Sequence, residues 1–301
     1  MRVRTTAAGR RQVLLSLGCY LASGGWPAYA ESASPAPLQD VIRRNEFGFL
    51  GVSLQYGYEL LDAAMERSVS HYGPYKIEPV MTEMSVARLH REVVKGDLVN
   101  VVVRAPGSRE MEEGLIPIDI PLDKGLNGYR VAFIRLGDQS RIERLGDIAG
   151  LRQMRIGIGE QWLDVPIYKH NNIPLVAARE YDSLLGMLQH GRFDLFPRPA
   201  SAVLSEYNVY KAQYPSIEID QHLLIRYPLG MYAFVSKSTP RLAERIRYGL
   251  HEMQKDGSFD RYFDQHFSQV IAKLKFPQRT LIELENPLLP AWANASPIEL
   301  R

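Results

Sequence analysis

Cysteine is almost absent from this 301-residue chain. Its one cysteine, Cys19, lies in the first thirty residues. The remainder can form no disulfide, offers no thiol nucleophile and tolerates an oxidising compartment. Excess charge is missing as well. The formal +2 comes from 36 basic and 34 acidic residues. The first thirty residues hold four of those bases, Arg2, Arg4, Arg10 and Arg11, and no acid, which leaves the rest at −2. That balance lacks the clustered basic face of a nucleic-acid binder. Long apolar runs are also missing. The stretch from Val13 to about Leu21 is shorter than the roughly 20 apolar residues a membrane helix requires, and no later stretch reaches that length. The seven histidines (71, 90, 170, 190, 222, 251, 266) never fall at metal-ligand spacing. Gly157-Ile-Gly159 has no third glycine for a dinucleotide fingerprint, and neither a P-loop nor a G-x-S-x-G elbow occurs. No metal, no cofactor and no catalytic residue is expected.

What is present begins with an export signal over residues 1–30. It has an arginine-bearing start, a short apolar core and Ala28-Tyr29-Ala30 as an A-x-A cleavage site. Arg10-Arg11 leaves the twin-arginine route open beside general export. Leu17-Gly18-Cys19 looks like the end of a lipoprotein box, but Ser16 stands where leucine belongs. The chain is expected to reach the periplasm. Residues 31–44, with Pro35 and Pro37, read as a flexible lead-in.

An alternation of strand and helix patterns follows. Phe47–Leu54 reads as a strand, Gln55–Tyr58 as a loop, and Glu59 to about Tyr72 as a helix with Leu60, Leu61, Ala64 and Met65 on one face. Tyr75–Val80 is a strand. Thr82 can cap the helix Ser85–Val94, which Gly96 ends. The β-branched run Val99–Val103 is a strand of the type buried on both faces. This βαβαβ order implies a doubly wound parallel sheet. From Gly128 the pattern restarts, with strands at 129–134, 154–158, 175–178 and 193–196, helices between them, and a final strand at Met231–Ser236. Two α/β lobes with crossings near 130–135 and 225–230 account for this order. The most informative stretch is Arg104-Ala-Pro-Gly-Ser-Arg109, two guanidiniums and a hydroxyl at and just past a strand end. Ligands of open α/β sheets bind outside the carboxyl ends of strands, and a guanidinium fork fits a carboxylate there.

Several motifs occur in register. Tyr232-Ala-Phe-Val-Ser-Lys237 precedes a helix that ends at Asp256-Gly257. Upstream lie Lys95-Gly-Asp97, Pro106-Gly-Ser-Arg109, Leu145-Gly-Asp-Ile-Ala-Gly150 and Gly191-Arg-Phe-Asp194. Over residues 47 to about 268 the chain therefore resembles the family 3 extracellular solute-binding proteins. Trp162-Leu-Asp164, Phe193-Asp-Leu-Phe-Pro-Arg198 and Asn286-Pro-Leu-Leu-Pro290 are similar to a proteobacterial branch of that superfamily. The resemblance implies a type II periplasmic binding fold of two doubly wound lobes joined by two hinge crossovers. Lobe 1 would comprise 45–132 plus 228–301, with the 270–301 tail packed on it through Leu281, Leu284, Leu288 and Leu289; lobe 2 would comprise 133–227. It further implies a monomeric periplasmic protein that captures an amino acid or related carboxylate for an ABC-type importer with a membrane permease as partner. The rivals are a stand-alone periplasmic ligand sensor and a dehydratase or lyase on the same scaffold.

By that resemblance Arg109 pairs with the ligand's α-carboxylate, with Ser108 and Arg104 beside it, and Tyr56 lines the pocket as an aromatic. Gly159 and Glu160 stand on a strand-to-helix loop whose free amides suit an anion, and Trp162 covers the ligand. Arg198 departs from the pattern, because the family supplies an aspartate near there for the α-ammonium. Either the ligand is more anionic than a neutral amino acid, or Glu160 or Asp164 supplies the missing negative charge.

Overall fold

A computed structural model describes residues 39–46, 52–107 and 113–293, the side chains of 52 and 53 excepted. The chain divides after Pro37, and Leu38–Arg301 forms the second unit. The proposed signal segment and residues 108–112, which include Ser108 and Arg109, lie outside the described residues.

Twelve strands and ten α-helices follow in chain order among the described residues. The strands are β1 (Asp40–Asn45), β2 (Tyr75–Val80), β3 (Val101–Arg104), β4 (Leu115–Pro117), β5 (Tyr129–Arg135), β6 (Ile156–Gly159), β7 (Leu175–Ala178), β8 (Phe196–Pro199), β9 (Ile217–Ile219), β10 (Leu223–Arg226), β11 (Tyr232–Ser236) and β12 (Thr280–Glu283). The helices are α1 (Val52–Arg67), α2 (Val69–Tyr72), α3 (Val86–Lys95), α4 (Gln139–Ile142), α5 (Ile148–Leu151), α6 (Val165–His170), α7 (Tyr181–Gln189), α8 (Ala200–Tyr210), α9 (Pro240–Lys255) and α10 (Ser258–Lys273).

The strands fall into two groups with the same plan. In the first, β1 and β2 run parallel, and β11 lies antiparallel between β3 and β4. Asn100 joins β1 to β3: its amide N donates to the Arg43 carbonyl (2.9 Å), its Oδ1 accepts from the Arg43 amide (2.8 Å) and its Nδ2 donates to the Val41 carbonyl (2.8 Å). In the second group β6 and β7 run parallel, a bridge between Ile156 and Leu195 brings β6 to the approach of β8, and β8 pairs antiparallel with β5. The orders β2-β1-β3-β11 and β7-β6-β8-β5 are equivalent. In each the antiparallel strand is the one that has just crossed from the other group. This is the expected α/β plan of two doubly wound halves joined by two crossovers, and the reversal of strand order at β1/β3 and β6/β8 marks where such sheets take ligands.

The crossovers run side by side. The Leu122 amide donates to the Met231 carbonyl (2.7 Å) and the Tyr227 amide to the Gly128 carbonyl (3.1 Å). Buried Asp123 accepts from the amides of Gly125 (3.1 Å), Asn127 (2.7 Å) and Met231 (2.9 Å). A Cβ at Gly128 would stand 2.1 Å from the Tyr227 carbonyl oxygen, so only glycine lets the two chains approach this closely. Helix α1 packs along α9 in the same manner, where a Cβ at Gly249 would meet the Ala64 carbonyl oxygen at 1.9 Å.

Several boundaries differ from the sequence reading. Part of the supposed lead-in, Asp40–Asn45, forms β1, because its backbone pairs in register with Tyr75–Val80. Its first carboxylate, Asp40, holds the fully buried Arg245 at 2.9 Å. The strand expected at 47–54 lies partly outside the described residues, and its remainder, from Val52, is already helix. The aromatic and β-branched composition there imitates a strand. The buried set Tyr56, Leu60, Ala64 follows the four-residue step of a helix instead. Ser85, rather than Thr82, caps α3 by accepting from the Arg88 amide. The Pro-Arg-Pro run does not end β8 but lies within it, paired with Arg130–Ala132. Its two prolines lack the amide hydrogens a second neighbouring ladder would need.

The tail also departs from the expected packing on the first lobe. Its β12 adds parallel to β10 in the sheet of β5. Buried Arg279 anchors it, donating to the carbonyls of Leu223 and Asp220 (both 2.8 Å) beside the Asp220 carboxylate (3.5 Å). Leu284 is buried there, whereas Leu281 and Leu288 are exposed. Beyond it, Asn286 Nδ2 donates to the Pro228 carbonyl on the second crossover (2.7 Å), and Trp292 sets its ring against Tyr232 and Phe234 of the first group. The tail thus touches both groups.

Candidate functional site

A cleft of about 360 Å³ opens where the crossovers meet the carboxyl ends of β3, β6 and β8. Ala105, Asn127 and Leu229 line it from the first group and the crossovers; Arg130, Trp162, Asp164, Arg198 and Pro199 line it from the second. The chain enters β5 directly from the first crossover, which sets Arg130 at the floor. The turn after β6 delivers Gln161–Asp164, and β8 delivers Arg198.

Arg130 is 3 % exposed at the head of the apolar run Val131–Ile134, so its charge must be paired. Its Nε and Nη2 donate to Asp164 Oδ2, each at 3.1 Å, and its Nη1 donates to the Asn127 carbonyl. The Tyr227 hydroxyl donates to the same carboxylate oxygen (2.6 Å), and its ring lies under the guanidinium at 5.0 Å. Burial, then the Asp164 charge, drives the Tyr227 phenol well above its ordinary range, so it remains a neutral donor. Burial alone would lower Arg130; Asp164 and the neighbouring phenols more than offset it and hold the guanidinium above its usual value. An arginine inside a buried strand is a signal that sequence reasoning could have used.

Arg198 carries the second pair. Its Nε and Nη2 donate to Glu206 Oε2 and Oε1 at 2.6 and 2.9 Å, a bidentate fork. The Tyr181 hydroxyl donates to Glu206 Oε2 (2.8 Å). The guanidinium stands over the rings of Trp162 (4.5 Å), Tyr181 (4.9 Å) and Phe196 (5.2 Å), and Trp162 and Phe196 are themselves stacked. Desolvation opposes the charge of Arg198, but Glu206 overcomes it and leaves the guanidinium raised. The sequence-level picture of Arg198 as an open cation awaiting an anion is therefore corrected, because its counter-ion is built in. Glu206, eight residues on and across the β8–α8 corner, was missed. No short-range pattern marks a strand-to-helix pair of that separation.

The other expected residues separate. Gly159 ends β6 beneath the Trp162 ring, where a Cβ would stand 2.2 Å from Nε1. Glu160 turns outward to an exposed pair with Arg179 (3.2 Å), so of the two acids proposed to supply negative charge only Asp164 lines the cleft. Arg104 ends β3 with its guanidinium 4.3 Å from the Phe234 ring and its Nη1 on the Ala105 carbonyl (3.4 Å). Tyr56 does not line the cleft. It is 1 % exposed within α1, its hydroxyl donates to the Leu122 carbonyl (3.0 Å), and its ring packs edge-on against His266 and Phe267. The helix that replaced the expected strand turned it into the core.

Chemically the described cleft offers two preset ion pairs, an indole face and the backbone of a crossover. Among the described residues no helix is long and apolar enough to cross a membrane, and no three His, Cys, Asp or Glu side chains gather as a metal site.

No protein-family model matches the chain, and no curated protein matches it. Solved structures do. An amino acid ABC transporter substrate-binding protein from Streptococcus pneumoniae, bound to L-arginine, is 15 % identical over 76 % of this chain and 94 % of its own, with a TM-score of 0.48. The GluR0 ligand-binding core in complex with L-glutamate is 14 % identical over 77 % and 99 %, with a TM-score of 0.49. An ancestral amino-acid-binding protein, described as a precursor of cyclohexadienyl dehydratase, is 12 % identical over 75 % and 95 %, also with a TM-score of 0.49.

Proposed function

We propose that this chain is a periplasmic solute-binding protein that captures a small polar, carboxylate-bearing ligand, an amino acid or a relative, for an ABC-type importer. One observation carries the reading. The cleft lies at the carboxyl ends of β3, β6 and β8, directly on the two crossovers, so whatever fills it contacts both halves of the fold at their only strand exchanges among the described residues. A ligand that touches both halves favours the arrangement in which they are closed on it. In this reading Arg109 and Ser108, which follow β3 in the sequence, take the ligand's carboxylate; Trp162 and Arg198 form the opposite wall; and Asp164 supplies the negative charge for an ammonium. Residues 1–30 export the chain, and a membrane permease receives the ligand.

The test is a thermal-shift screen of the purified protein against amino acids, dicarboxylates and small phosphates. A compound present at 100 times its dissociation constant adds about 2.7 kcal/mol of stability, a rise of several degrees. The reading requires a hit among carboxylate-bearing compounds that Arg109→Ala abolishes. A panel without any hit, or a hit that survives Arg109→Ala, overturns it. The carboxylate of Asp164 in the cleft also sustains the enzymatic alternative. In that case Asp164→Asn would stop turnover of a bound compound while leaving its thermal shift in place.

A further inference from the structure

We propose that Glu206 sets the charge of the ligand: by closing the Arg198 fork from within, it makes that wall of the cleft neutral, so the site accepts a monocarboxylate with an uncharged far end and refuses a second carboxylate. The inference rests on the binding reading above and names the substrate class of the same cleft.

The geometry of the pair is complete without a ligand. Two of the three guanidinium nitrogens of Arg198 are spent on the two oxygens of Glu206, at 2.6 and 2.9 Å. The Tyr181 hydroxyl, at 2.8 Å, takes a further lone pair of Oε2. Three aromatic rings fix the guanidinium plane. The side chains of Arg198 and Glu206 are only 13 % and 20 % exposed. Both come from consecutive elements, the end of β8 and the second turn of α8, so neither leaves the other when the two halves of the fold move.

A ligand carboxylate seeking Arg198 would have to displace Glu206 and leave that carboxylate in a poorly hydrated place with Tyr181 alone. Separating a partly buried pair in this way is costly because the remaining charge keeps its desolvation penalty. The other cation that lines the cleft, Arg130, is also paired from within, its Nε and Nη2 both on Asp164 Oδ2. What the wall presents to a ligand is therefore the indole of Trp162 and a neutralised guanidinium, surfaces suited to an uncharged polar or apolar group.

The experiment compares the protein with Glu206→Gln by thermal shift and calorimetry, using L-glutamine, L-glutamate and succinate as probes. Glutamine retains the shape and an acceptor oxygen but not the charge, so Arg198 is released as an open cation. The variant is expected to gain affinity for succinate and glutamate by about 10- to 100-fold over the parent, the range that a charge-assisted hydrogen bond supplies. The parent is expected to favour L-glutamine over L-glutamate. Adding Arg198→Met to the variant should erase the gain, which ties the effect to that guanidinium. Should Glu206→Gln fail to fold, Glu206→Ser, which also removes the charge, should shift preference in the same direction. An unchanged order of the three probes in the folded variant, or a parent that already prefers the two dicarboxylates, overturns the proposal. Failure of the parent to bind any amino acid, with a succinate gain still appearing in the variant, would instead overturn the binding reading and leave the role of Glu206 standing.

Discussion

The crossovers bury one carboxylate and the cleft wall half-buries another, and they satisfy them in opposite ways. Asp123 is held by backbone: three amides from the first crossover and from Met231 beyond the second converge on it, and among the described residues no arginine takes part. Burial raises its carboxyl above the usual range, with those amides pulling the other way. Glu206 is held by side chains, the fork of Arg198 and the hydroxyl of Tyr181. Backbone amides have no alternative conformer that keeps the chain path, so a charge they satisfy is a fixture of the architecture. Side-chain partners can be exchanged one at a time. A charge they satisfy on a cleft can be retuned by substitution without refolding the chain. The comparison separates residues that make the fold from residues that set what it binds.

The largest effect that would sharpen this contrast lies at the tail anchor, where backbone and side chain act together. Arg279 and Asp220 are 1 % and 0 % exposed. Arg279→Met leaves Asp220 buried without its cation and should destabilise the protein by about 3–5 kcal/mol in urea denaturation. Next comes Asp123→Ala, which takes the acceptor from three amides, that of Met231 in a buried contact; about 3 kcal/mol of stability should be lost, with the midpoint falling and the slope unchanged. Glu206→Gln keeps one of the two hydrogen bonds to Arg198, and about 1–2 kcal/mol is expected. If it costs as much as Asp123→Ala, the distinction between fixture and tuner breaks. The smallest effect is in acid. Asp194 is opposed by burial, but the Arg155 amide (2.8 Å) and Arg141 (3.0 Å) outweigh it and hold its carboxyl below the ordinary value. A group depressed in the folded state stabilises above its unfolded pKa, about 3.9, and loses that contribution as pH falls through the folded value. Asp194→Asn should therefore flatten the acid limb of the stability profile below about pH 4 while leaving the neutral plateau lower but level.

Much of the fold was legible because it is written locally. Val101–Val103, Ile156–Ile158 and Tyr232–Val235 are apolar on both faces, as strands covered on both sides must be, and glycines or caps punctuate the helices between them. What escaped was settled over distance. Nothing near Asp40–Asn45 announces a strand until Tyr75–Val80 is beside it, and Thr280–Glu283 becomes β12 only because β10 offers an edge. The site divided along the same line. Trp162, Asp164 and Arg198 were visible as unusual residues at strand ends. Arg130 carried a readable sign, a cation between Tyr129 and the apolar run Val131–Ile134, whereas Glu206 and Tyr227 gain their meaning only from partners that folding brings to them.

The most direct measurement is hydrogen exchange with and without the compound that gives the largest thermal shift. The account predicts slowed exchange concentrated at the amides of Asn127, Arg130, Gln161–Asp164, Arg198 and Leu229, which belong to both halves and both crossovers. Protection confined to one strand group, or centred on another surface, would contradict a ligand site at the crossover cleft.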